Sequence, residues 1–183
     1  MVSDGRRIEP TPVRATLLVH QEGALALLAL VGLSFTERGV VGGLAPASEL
    51  PLSVVAGIGA GLVVFGVLWI FREVPPLRRL EEWQQKIVGE WSVTDAVVVA
   101  LVSGLAEEAL LRALLQPIIG LFPAAALFAV LHLVPDRRLW FWPVFALLCG
   151  LVLGLLFEKF GFPAAAAAHL VINLIALLRL RRR

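Results

Sequence analysis

Six residues in this chain carry groups able to do chemistry inside otherwise apolar sequence: Glu107, Glu108, Arg112, His132, His169 and Asn173. A charged side chain at the centre of a bilayer costs about 2.5–3.5 kcal/mol by insertion scales, so three within six residues need an explanation. Glu108 and Arg112 are four apart with the acid nearer the amino end, the spacing and order of a same-face helical ion pair. That pair has a structural reading, a buried salt bridge that neutralises itself. Glu107 is left without a cation at helical spacing. Burial and a like-charged neighbour are the conditions under which a carboxyl serves as a general base near neutral pH. His169 and Asn173 are four apart, as are Phe128 and His132, so each pair shares one helix face. Asn173 alone reads equally as a bridge between helices, either His as a structural donor, and Phe128 as packing.

Depth links these residues. Glu107 lies ten residues before Pro117, and His132 ten after Phe122. At 1.5 Å per residue both sit about 15 Å from the turn between their helices, with His169 and Asn173 roughly 10 and 16 Å into a later helix. One carboxylate, two imidazoles and a carboxamide from three helices therefore share a level, as in sites built in a bundle core.

The elements that must hold them are membrane helices. Of 183 residues, 59% are hydrophobic and only 16% charged, against about 25% in soluble domains. The sequence predicts an all-α polytopic membrane bundle of six spans, over residues 15–36, 52–71, 93–115, 121–134, 139–157 and 162–180. Residues 77–87 place Leu77, Leu80, Trp83 or Gln84, and Ile87 on one face opposite charges, an amphipathic helix expected to lie on the headgroups as a connector. Gly57 and Gly61 form a GxxxG pair, which also arises by chance in glycine-rich sequence. Residues 1–14 read as a cytoplasmic segment, 15–92 as two spans and the connector, 93–180 as a catalytic core of four helices, and 181–183 as a basic tail. The first span lacks a small-residue cleavage site and reads as retained. Thirteen of the 16 Lys and Arg fall on the side of the amino terminus and only Arg38 and Lys159 on the other, which orients both termini to the cytoplasm of a multi-pass cell-membrane protein. Basic residues at segment ends do not make a nucleic-acid face. The lone Cys149 excludes an internal disulfide and a cysteine-based zinc site.

The motifs Glu107-Glu108-Ala-Leu-Leu-Arg112, Phe128-Ala-Val-Leu-His132 and His169-Leu-Val-Ile-Asn173 resemble EExxxR, FxxxH and HxxxN of the CPBP family, the CAAX-protease and bacteriocin-processing group of intramembrane glutamic proteases. The resemblance covers about residues 100–178. Ala113 and Leu111 depart from the family's usual glycine and aromatic residue, both at packing positions. The resemblance implies peptide-bond hydrolysis without a covalent intermediate and without a cofactor or metal. By that likeness Glu107 and His132 activate water, His169 and Asn173 stabilise the oxyanion, and Glu108 with Arg112 supports the helix. The implied partner is a membrane-anchored protein or peptide substrate. The size suggests a prokaryotic member, for which a carboxyl-terminal sorting tail is favoured over a prenylated or bacteriocin-like substrate. Two other readings stay open: a metal-dependent membrane protease using Glu and two His as ligands, and a non-enzymatic adaptor or proton-coupled carrier, since relays also use intramembrane Glu and His. Oligomeric state is not legible.

Overall fold

The computed structural model describes residues 10–181, and all the regular elements among them are helical. Asp4, Arg6, Arg7 and Glu9 of the amino-terminal segment, and Arg182 and Arg183 of the basic tail, lie outside the described residues. The helices are α1 (Ala15–Ser34), the short α2 (Gly39–Gly43), α3 (Leu50–Phe71), α4 (Pro75–Val88), α5 (Val93–Glu108), a π segment (Ala109–Leu115), α6 (Gln116–Ile119), α7 (Leu121–Leu131), α8 (Phe141–Phe160) and α9 (Phe162–Leu180). A 3₁₀ turn, Arg137–Leu139, leads into α8.

Local chemistry sets the helix starts. Pro stands in the first turn of α3, α4 and α9, where its missing N–H leaves no bond unmade. Ser92 opens α5 with a capping box: its Oγ accepts from the Asp95 N–H (3.0 Å), and Asp95 accepts from the Ser92 N–H (2.9 Å). Asp95 is thereby a capping residue. The expected stop before Pro117 is not where the helix ends. α5, the π segment and α6 run on without a break to Ile119. Pro117 falls in the first turn of α6, just after the Gln116 N–H bonds back to the Leu111 carbonyl. That wider, five-residue register carries the chain past a residue that cannot donate.

Of the six expected spans, four match helices long and apolar enough to cross a membrane: α1, α3, Arg137–Phe160 and α9. α7 has 11 residues, about 16 Å, roughly half of a hydrocarbon core. Its partner, the rod over residues 93–119, is divided by the π segment. Large side chains such as Leu27, Val55, Val63, Ile70 and Leu155 are exposed on the outside of the bundle, the surface that lipid covers in a membrane protein.

α9 is the central helix, packed against α3, α5 and α8. The glycine pair on α3 is a packing motif here: a Cβ on Gly57 would run into the Ala164 carbonyl oxygen, and one on Gly61 would lie 2.7 Å from that of Ala168. Small residues on both sides let the two backbones touch. α4 forms where the amphipathic helix was expected. Leu77, Leu80, Trp83, Gln84 and Ile87, the face read from the sequence, turn inward and line a cavity in the bundle. The amphipathic period was legible, and its apolar face also helps to enclose the cavity.

Candidate active site

The cavity measures about 480 Å³ and takes in Ser103, Glu107, Phe128, His132, His169 and Asn173. Glu108 and Arg112 are absent from its walls and fully buried behind them. Two adjacent carboxylates thus have different surroundings. Arg112 Nε donates to Glu108 Oε2 at 2.9 Å, and the guanidinium carbon lies 5.3 Å from the centre of the Phe128 ring, within cation–π reach. Glu108 Oε1 faces His169 Nδ1 at 2.8 Å. An ionised carboxylate can only accept, which assigns the shared proton to Nδ1 and leaves His169 Nε2 as its free ring nitrogen.

Glu108 therefore does more than hold Arg112. It links the ion pair on one helix to an imidazole on α9, a connection that helical spacing cannot reveal because it joins residues 61 positions apart. Glu107 Oε2, by contrast, is buried without a hydrogen-bond partner among the described residues.

His132 ends α7 as its C-cap residue. Its Nδ1 is 2.7 Å from the Phe128 carbonyl oxygen, which can only accept, so Nδ1 carries a proton and Nε2 is the acceptor in the neutral ring. The bond also satisfies a carbonyl at a helix terminus. Asn173 Nδ2 donates to Ser103 Oγ at 2.9 Å. Ser103 was not singled out from the sequence, although it lies one turn before Glu107 on α5. Phe128 is 3% exposed, with ring centres 4.6 Å from His132 and 5.6 Å from His169. It packs between the two imidazoles and under the guanidinium.

Trp142 continues the wall, 5.8 Å from His132 and 5.3 Å from Trp83 of α4, ring centre to ring centre. Close approach of α5 to α9 completes the geometry: a Cβ on Gly104 would sit 3.1 Å from the Leu170 nitrogen. One further carboxylate lies in this wall. Glu22 of α1 is 7% exposed and lines the same cavity, whereas its neighbours His20 and Gln21 point outward.

Glu107, His132 and His169, the ligand set of the metal alternative, all line this cavity. Among the described residues, however, no three His, Cys, Asp or Glu side chains come together as a cluster able to hold one ion.

Residues 89–175 match the family model described as Rce1-like, type II CAAX prenyl endopeptidase Rce1-like. Over that segment the chain is similar to the Rce1-like family. Rce1-like proteins are membrane endopeptidases, so the chain is a membrane-embedded peptide hydrolase. The Rce1-like segment spans α5 to most of α9 and holds all three motifs, while α1, α3 and α4 fall outside it. No curated protein and no solved structure matched the chain.

Proposed function

We propose that the chain is a glutamic-type intramembrane endopeptidase that cleaves a membrane-anchored tail within this cavity. The observation that carries the reading is the separation of the two carboxylates: Glu107 faces the cavity with a free oxygen, alongside His132, His169 and Asn173, while Glu108 is turned away into the ion pair. Glu107 and the acceptor Nε2 of His132 hold a water. Its oxygen attacks the scissile carbonyl carbon as a proton passes to Glu107. The carbonyl oxygen takes up the negative charge, met by His169 and Asn173. The C–N bond then breaks as the proton on Glu107 moves to the leaving nitrogen, and one water has been added across the bond. His169 can donate from Nε2 only when both its nitrogens carry protons, a form that the Glu108 carboxylate at Nδ1 stabilises. Preorganised donors of this kind are each worth about 3–4 kcal/mol of barrier.

The mostly apolar walls contributed by α4, α8 and α9 suit a substrate that stays in the membrane. The family description names CAAX prenyl tails, so a prenylated tail stands beside the sorting tail as a substrate class. The test is incubation of the protein in liposomes with anchored tail peptides, prenylated and unprenylated, with products identified by mass spectrometry. Cleavage at one bond that survives a strong chelator is the expected result. Cleavage abolished by the chelator and restored by a divalent metal contradicts the water activation proposed here.

A further inference from the structure

We infer, on the reading of the chain as an endopeptidase of anchored tails, that Arg72 and Arg179 clamp the free carboxyl terminus of the substrate at the open end of the cavity. Both guanidinium groups lie over one indole: the central carbon of Arg179 is 4.1 Å and that of Arg72 4.3 Å from the centre of the Trp69 ring. Arg72 Nη1 also donates to the Trp69 carbonyl oxygen at 2.9 Å, and Arg179 Nη2 meets Glu81 Oε1 at 3.1 Å. Contacts from α3, α4 and α9 thus bring two cations to one place. Arg72, Glu81 and Arg179 all line the cavity. The Arg72 side chain is 34% exposed and that of Arg179 31%, against 5% for His169. The cationic end is therefore the mouth, and the polar groups of the site lie inside.

The cavity follows α9 from one end to the other, and its wall there takes in His169, Ile172, Asn173, Ala176 and Arg179. Arg179 lies six residues past Asn173 and ten past His169, about 9 and 15 Å along the helix axis. An extended peptide covers that length in roughly three to four residues. A tail whose scissile amide lies against His169 and Asn173 therefore brings its carboxyl end to the arginines if it ends that soon after the bond. Arg72 and Arg179 are the only Lys or Arg among the described residues that line the cavity. A guanidinium fork matches a carboxylate with two parallel N–H donors. Glu81 engages one nitrogen of Arg179, a group with five N–H donors, and holds it in place. Glu73 meets Arg72 Nε at 3.3 Å but is 76% exposed, and a surface pair of this kind contributes little. Arginine and tryptophan also anchor helix ends at headgroups, but these two arginines border the cavity.

The test is peptide binding to the full chain in phosphatidylcholine nanodiscs, read by fluorescence anisotropy, with Glu107→Gln used so that the peptide stays intact. The probes are one lipid-anchored, fluorescent tail peptide as the free acid, as its carboxyl-terminal amide, and as the acid lengthened by several residues. The acid is expected to bind roughly 10–100-fold more tightly than the amide, the range for hydrogen bonds to a charged group. Lengthening the acid should remove that advantage. Neither comparison needs a change at the arginines. Adding Arg72→Gln or Arg179→Gln should bring the acid-to-amide ratio toward one, and Arg179→Lys, which keeps the charge, should retain part of it. Equal binding of acid and amide overturns the inference. So does a loss of affinity in the Gln variants that acid and amide share, which assigns the arginines to holding α3, α4 and α9 together. A loss seen only in discs that contain phosphatidylglycerol makes the pair a headgroup anchor and overturns it as well. If Glu107→Gln cleaves the peptide, the reading of the base fails instead, and the ratio of kcat/KM for acid and amide decides the clamp.

Discussion

Glu107 and Glu108 are covalent neighbours, yet one full side chain's width of helix rotation sends them to different environments. Glu108 sits at 0% exposure between Arg112 and His169, and removing its charge leaves a buried guanidinium unpaired. Such losses cost about 3–5 kcal/mol. Glu108→Gln is therefore expected to lower unfolding stability in detergent by that order, while Glu107→Gln, at a residue whose Oε2 has no hydrogen-bond partner among the described residues, should unfold close to wild type. Equal stability of the two variants contradicts the division of roles. The i,i+4 spacing made the Glu108–Arg112 pair legible from sequence. The link from Glu108 to His169, that from Asn173 to Ser103, and the inward turn of Glu22 were not, because each depends on which helices meet and not on any one helix's period.

The elements hold these side chains through small residues rather than through large apolar anchors. α9 carries His169 and Asn173 on one side and presents Ala164 and Ala168 to Gly57 and Gly61 on the other. Gly61→Leu must push α3 away from α9, and overpacking of this kind costs about 1–3 kcal/mol. A lower unfolding temperature with reduced turnover is expected; an unchanged melting curve contradicts the close approach. The helical periods of α1, α3, α4, α8 and α9 were readable to within a few residues. Two features escaped them. The helix continues through Pro117 because a π segment absorbs the missing donor. α4 faces the cavity because an amphipathic face looks the same whether lipid or protein covers it.

At the scale of the whole molecule, the bundle is an enclosure for polar groups that the bilayer itself would reject. Residues 89–175 supply the three motifs, while α1, α3 and α4 supply packing, a further carboxylate and a wall of the cavity. Composition alone specified the membrane class. The convergence of three motifs at one depth pointed to a site in the bundle core, and the cavity unites those residues. The substrate is not legible, because apolar walls accept many membrane-held tails. The most direct measurement is the single-turnover cleavage rate of an anchored tail peptide by Glu107→Gln and by wild type, reconstituted in the same liposomes and matched for folded protein. Loss of a general base lowers the rate by roughly 10²–10⁴-fold, and a fall of that size with substrate binding retained is predicted. Cleavage by Glu107→Gln at the wild-type rate contradicts the account.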